Sequence, residues 1–248
     1  MHGLWSLGGL FGIFYSTLMV RFEMSLVPHF ISVSLLTLIF CFFSFPYLLK
    51  NDRQPEGNKI IFGKPDKYIL TLGLLVFFAA ICEGGMYDWS GVYFREVVKE
   101  DLFTLSYLFF MISMTISRFM SDRFIEQLGE SIYYVISSSV AFVGIGLVIL
   151  FPYLIPALIG FSIAGFGVAA IFPMTFTMTS KSKKYAPGVA ISLVATYATV
   201  GMLIGPPLIG YVAHFLKLQY AFVIFLVAVF SIIPLSRKLF KILTKVEN

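Results

Sequence analysis

Two carboxylates stand inside an otherwise apolar run of this chain, Glu83 and Asp88 in the stretch EGGMYDWSGVYFREVVKED. At about 1.5 Å per residue from Tyr68, Glu83 lies roughly 22 Å along a helix and Asp88 near its far end. A carboxylate at such depth is expensive to desolvate and marks an ion, proton or solute path. Gly84 and Gly85 follow Glu83, and a glycine pair can loosen a helix as the broken helices of transporters do. The bland reading is also open. Glu83 can simply pair with a cation or backbone group, and Asp88 can cap a helix among the belt aromatics Tyr87, Trp89 and Tyr93.

A second charged group is SRFMSDRFIEQLGE, where Arg118 and Asp122 stand four apart and Arg123 follows. That spacing puts Arg118 and Asp122 on one helical face, and by itself describes an ordinary charged helix end. Small residues make the third pattern. Gly8 and Gly12, and Gly201 and Gly205, have the small-xxx-small spacing that lets helices approach closely. Pro206, Pro207 and Gly210 follow the second pair, giving either a fixed kink in a tight contact or a gate. GFSIAGFGVAAIFPMTFTMTS mixes Gly160, Gly165, Gly167 and Pro173 with Thr175 and Thr177. A helix so uneven is expected to line a cavity, with Thr175 a candidate solute contact.

Other chemistry has no motif behind it. His2, His29 and His214 are far apart, and Cys41 and Cys82 lie in separate apolar runs. No metal-ligand spacing, disulfide framework or cofactor fingerprint results. Nor is there a nucleophile–base cluster of the kind an enzyme needs.

The elements that must hold these residues are membrane helices. The chain is 58% hydrophobic and 12% charged, with mean hydropathy +0.90. Charge-free runs longer than about 18 residues imply spans. They are read at Gly3–Val20, Met24–Leu49, Tyr68 to about Tyr93, and about Leu102 to Met120. Ser131–Ser180 holds no charge and is too long for one crossing, so it folds back at FPYLIP (Phe151–Pro156). Tyr185–Leu216 and Leu218–Ser236 make eight. Lys50–Lys67 is the one long polar linker.

Lysine and arginine orient the set. Of the 18 basic residues, all but Arg21, Arg95, Lys99 and Lys217 fall on the side of the linker and the tail. The positive-inside rule therefore puts both termini in the cytoplasm. The net charge of +5 follows from topology, and no nucleic-acid partner is implied.

In this order, HGLWSLGGLFG, EGGMYDWSGVYFREV, SRFMSDRFIEQLG and GVAISLVATYATVGMLIGPPLIG resemble segments of the major facilitator superfamily of secondary transporters. The likeness is to a bacterial inner-membrane branch related to sugar and fucose permeases, and it covers nearly the whole chain. The resemblance implies helix five, helix seven, the loop between helices eight and nine, and helix eleven. The chain would then be an all-α integral membrane protein with a partial major facilitator fold of about eight helices. Residues 1–49 would be the last two helices of the N-terminal bundle, 50–67 the cytoplasmic central loop, 68–238 the six-helix C-terminal bundle and 239–248 a cytoplasmic tail. Helices one to four would be missing, so a truncated and inactive form is expected.

The implied activity is alternating-access transport of a small, polar, sugar-like solute, coupled to protons through Glu83, with no cofactor. Arg118, Asp122 and Arg123 would form a conformational latch, although Ser121 replaces the glycine usual in the family loop. Partners would be the lipid bilayer, the solute, protons and a separate chain carrying the missing helices. Two other readings stay open: a non-transporting subunit that completes a split transporter, and a membrane-embedded receptor or enzyme.

Overall fold

A computed structural model describes residues 2–47 and 65–247. Among these, ten α-helices and two short irregular turns follow one another: α1 His2–Arg21, α2 Leu26–Ser44, α3 Lys67–Tyr93, α4 Leu105–Leu128, α5 Glu130–Leu150, α6 Leu154–Val168, α7 Ile171–Thr179, α8 Pro187–Phe215, α9 Leu218–Ala221 and α10 Val223–Glu247. The turns are Phe45–Tyr47 and a π-helical Phe94–Val98 that prolongs α3. Seven helical stretches are long and apolar enough to cross a membrane, α6 with α7 and α9 with α10 each counting as one. The protein is an all-α, multi-pass membrane protein.

α4 is the exception among the eight expected spans. Its 24 residues are long enough, but Ser, Thr, Arg118 and Asp122 lower its hydropathy. The reason is structural, because this helix carries polar groups into the bundle. It also runs on to Leu128, through most of the segment read as a charged helix end. Gly129, at φ +80, makes the turn into α5, a conformation that costs other residues more.

Local chemistry accounts for the ends. Asp66 caps α3 by accepting from Ile69 N–H at 2.8 Å. The hairpin at Phe151–Pro156 forms where α5 stops at Leu150 and α6 starts at Leu154. Pro156 falls in the first turn of α6, where a missing N–H costs nothing. Gln219 Nε2 donates to the Ile149 carbonyl at 2.6 Å, satisfying one of the last acceptors of α5. Most of the expected linker, residues 50–64, lies outside the described residues. At the other end α10 continues unbroken to Glu247, and Leu239 is buried.

Helices α3 to α10 form the main bundle, and α1 leans on α4 from outside it. Glycines set the closest approaches. A Cβ on Gly201 would come within 2.9 Å of the Ala80 Cβ, and one on Gly205 within 3.3 Å of the Ile81 Cα, so this pair makes the tight α3–α8 contact. Gly8 and Gly12 have open space beside them among the described residues. Gly9 instead faces α4, where a Cβ would come within 2.7 Å of the Met111 Cε. α3 passes through Gly84 and Gly85 without a break. Their role is proximity, since a Cβ on Gly85 would sit 2.9 Å from Ile209 Cδ1. Gly160, Gly165 and Gly167 are buried against the backbones of α5 and α4, so this part of the sixth span packs tightly instead of lining a cavity.

The double proline is accommodated within α8, which stays helical from Pro187 to Phe215. Trp89 Nε1 donates to the Pro206 carbonyl at 3.1 Å, and the Trp89 ring lies 3.1 Å from where a Gly210 Cβ would be. This is a packing lock between α3 and α8. Trp89→Phe loses the hydrogen bond and the Cζ2–Cη2 edge of the indole beside Gly210. It should lower stability by at least about 1 kcal/mol, measured by denaturant unfolding in detergent.

The buried apolar side chains form two clusters. One holds Ile81, Met86, Met114, Ala169, Ile209 and Phe225. The other holds Val76, Ala80, Ala170, Ala198 and Ile232. Along α3, α4, α5, α8 and α10 one cluster gives way to the other, and polar groups including Glu83 and Arg118 lie near the seam.

Candidate functional site

Glu83 is placed in the seam by α3, near the middle of the helical stretch Lys67–Val98. Arg118 comes to it from the middle of α4. Their side chains are 2% and 3% exposed, and Arg118 Nη2 lies 3.1 Å from Glu83 Oε1 and 3.3 Å from Oε2. This corrects the helical-face expectation. Arg118 turns inward to a carboxylate on a neighbouring helix, while Asp122 and Arg123 remain exposed on α4. Arg118 thus leaves the basic residues expected on the side of the linker and tail, and the charge bias survives without it.

Every arm of the guanidinium is engaged. Nε donates to the Ala169 carbonyl at 2.8 Å, Nη1 donates to the Ser6 hydroxyl, and the Trp5 ring lies 5.1 Å from Cζ. Tyr87, one turn beyond Glu83, donates its hydroxyl to Glu83 Oε1. One cation therefore ties α1, α3, α4 and the end of α6 together. Thr115 Oγ1 adds a second link to α1, donating to the Ser6 carbonyl at 3.3 Å.

The Ala169 carbonyl is free to accept for a reason written in the sequence. In a continuous helix its donor would be the N–H of residue 173, which is proline and has none. The sixth span accordingly breaks at Ala169–Ala170, between α6 and α7. α4 compensates with adjacent residues, Arg118 on Ala169 and Ser117 Oγ on the Phe166 carbonyl at 2.8 Å. The discontinuity expected at Gly84–Gly85 is found here.

The remaining candidates lie elsewhere. Thr175 is buried and hydrogen-bonded to the Tyr134 hydroxyl at 2.9 Å and to the Ile171 carbonyl, outside the Glu83–Arg118 group. Asp88 is exposed and borders a cavity of about 360 Å³ beside Tyr87, Arg95, Thr104 and Tyr107. Thr104 Oγ1 is buried there without a hydrogen-bond partner. Among the described residues no three His, Cys, Asp or Glu side chains gather as a metal site. Residue spacing missed Ser6, Trp5 and the Ala169 carbonyl. For Tyr87 and Pro173 a signal existed, in the four-residue offsets from Glu83 and Ala169.

The buried ion pair thus lies beside a broken helix. The chain is 27% identical over 89% of its length to an uncharacterized MFS-type transporter of Yersinia pestis, covering 58% of that protein. It is similar to transporters of the major facilitator type. It is also 29% identical over 97% of its length to the membrane protein MosC of Rhizobium meliloti, covering 59% of it. To an uncharacterized transporter of Sinorhizobium fredii it is 28% identical over 93% of its length, covering 61%. The chain thus spans about six-tenths of the length of these relatives. No family model and no solved structure matches it.

Proposed function

We propose that the chain forms helices five to twelve of a major facilitator transporter of a bacterial inner membrane, related to sugar and fucose permeases. Together with helices one to four, and not alone, it would move a small polar solute by alternating access, driven by protons that bind Glu83. The observation that carries this reading is the Glu83–Arg118 pair, buried at 2% and 3% exposure and hydrogen-bonded across to Ser6 of α1. α1 and α2 would belong to one rocking bundle and α3 to α10 to the other. A proton on Glu83 weakens its hold on Arg118, and Arg118 is the group that spans the two bundles. Neutralisation and bundle separation are thereby linked.

Uptake into proteoliposomes that hold this chain together with helices one to four, under an imposed proton gradient, tests the reading. Glu83→Gln should remove the gradient dependence of uptake, and Asp88→Asn should leave it. Gradient-driven uptake by the Gln variant at the wild-type rate would overturn the coupling role. The exposed latch residues Asp122 and Arg123 would bias the inward–outward balance by about 1 kcal/mol by engaging the end of a neighbouring helix in one of the two states.

Gly8 and Gly12, with open space beside them, favour a further contact of α1 with helices on a separate chain. In this second reading the present chain completes a site that neither chain forms alone. Cysteines at Gly8 and Gly12 that cross-link to a second polypeptide would support it.

The charge bias supports cytoplasmic termini. In a background without Cys41 and Cys82, an impermeant thiol reagent should label Lys99→Cys in intact cells and spare Lys183→Cys. The reverse pattern would invert the topology.

A further inference from the structure

We infer that the solute travelling with the proton is a small monoanion, a carboxylate or acidic sugar, whose negative group replaces Glu83 on Arg118. This rests on the transporter reading above and adds the sign of the solute's charge.

Charge balance at the seam is the basis. Arg118 and Glu83 are each nearly without solvent contact, and an arginine keeps its charge in any protein environment. The pair sums to zero, and a buried unpaired charge is strongly disfavoured. A proton arriving alone neutralises Glu83 and strands the guanidinium. An anion alone leaves two negative charges against one positive, and a cation leaves two positive against one negative. A neutral solute keeps the balance with Glu83 still ionised, so it gives the proton no reason to bind. Only an anion and a proton together restore zero. Each therefore makes binding of the other favourable, which is obligate coupling.

The geometry suits the exchange. Arg118 Nη2 already bridges both carboxylate oxygens of Glu83, at 3.1 and 3.3 Å. The planar fork of a guanidinium is matched to another carboxylate in the same place. Around Glu83 the titratable and charged groups are Cys82 and Tyr87 of α3, with Asp88 next along that helix, and Tyr107 and Arg118 of α4. α1 brings Ser6 and Trp5. α8 and α10 meet α3 there through Gly201, Gly205, Ile209 and Phe225, none of which titrates. Arg118 is the one permanent cation of this group. Tyr87 connects the pair to the outside, since its hydroxyl holds Glu83 while the residue borders the 360 Å³ cavity.

Trp5 is a built-in reporter because its ring lies against Arg118. The chain has two tryptophans, so Trp89→Phe leaves Trp5 alone. Purified full chain in lipid nanodiscs is titrated from pH 5 to 8 with gluconate and lactate, and with the neutral sorbitol and glycerol. The anions should change Trp5 emission, with affinity weakening about tenfold per pH unit on the alkaline side. The neutral compounds should have no effect. In Glu83→Gln, which imitates the protonated acid, anion binding should persist and lose its pH dependence. In the charge-free Glu83→Gln/Arg118→Met pair, shown folded by circular dichroism, it should vanish.

Anion binding that ignores pH in the wild type, or that survives in the double variant, overturns the inference. So does sorbitol or glycerol binding with the anions silent, an outcome that leaves proton-coupled transport of a neutral solute standing. If none of the four binds, the monoanion assignment falls. Glu83-dependent uptake then decides separately whether the transporter reading falls with it.

Discussion

Arg118→Met is expected to cost about 3–5 kcal/mol of stability, the usual penalty for breaking a buried pair by removing one partner. The substitution strands two groups and weakens a third. Glu83 keeps only the Tyr87 hydroxyl, the Ala169 carbonyl loses its Nε donor, and the Ser6 hydroxyl loses Arg118 while Thr115 still reaches its carbonyl. Glu83→Gln/Arg118→Met should regain most of the loss, because no buried charge is left to compensate. The measurement is the unfolding midpoint in mixed detergent for the wild type, both single variants and the double variant. Two single effects that simply add would mean that the charges do not depend on each other, and the seam would have to be reinterpreted. The same result would remove the physical basis of proton and solute coupling, since both rely on the cost of an unpaired charge at this depth.

Much of this organisation was legible from residue patterns. Apolar run lengths placed seven of the eight expected spans, and FPYLIP placed the hairpin between α5 and α6. Glu83 stood out because a carboxylate in the middle of an apolar run needs a reason. Its partner was harder to see. Spacing arguments compare residues on one helix, so they joined Arg118 to Asp122, four residues away. The actual neighbours Glu83, Ser6 and Ala169 come from three other parts of the chain, and only tertiary packing brings them together. Glycine patterns had the same blind spot. The four-residue interval of Gly8 and Gly12 says that one helical face is smooth, yet not which neighbour meets it, and α4 meets Gly9 instead. Gly84 and Gly85 could mean flexibility or close packing. The side chains of Met202, Ile209 and Phe225 pressing on them decide for packing. Pro173 stood only as one mark of an uneven helix, and neither the break it makes nor the donor from another helix that makes the break tolerable was read from it.

That break is the subject of the second large effect. Pro173→Ala restores an N–H opposite the Ala169 carbonyl, and α6 and α7 should close into one continuous helix. A proline in a helix interior costs about 3 kcal/mol, of which the Arg118 and Ser117 hydrogen bonds to the break offset part. The variant should therefore be more stable than the wild type by about 1–2 kcal/mol, seen as a raised unfolding midpoint and slower amide exchange at residues 170–173. Stability gained this way works against movement. If the transport cycle bends the sixth span at Ala169–Ala170, holding it straight by about 1.4 kcal/mol lowers the bent population tenfold. Gradient-driven uptake should fall by a similar factor, with Glu83 and Arg118 both still present. A variant equally stabilised and undiminished in uptake would show that the break is a fixed feature of packing. In that case Arg118 serves the Ala169 carbonyl only as a cap, and its functional partner is Glu83 alone.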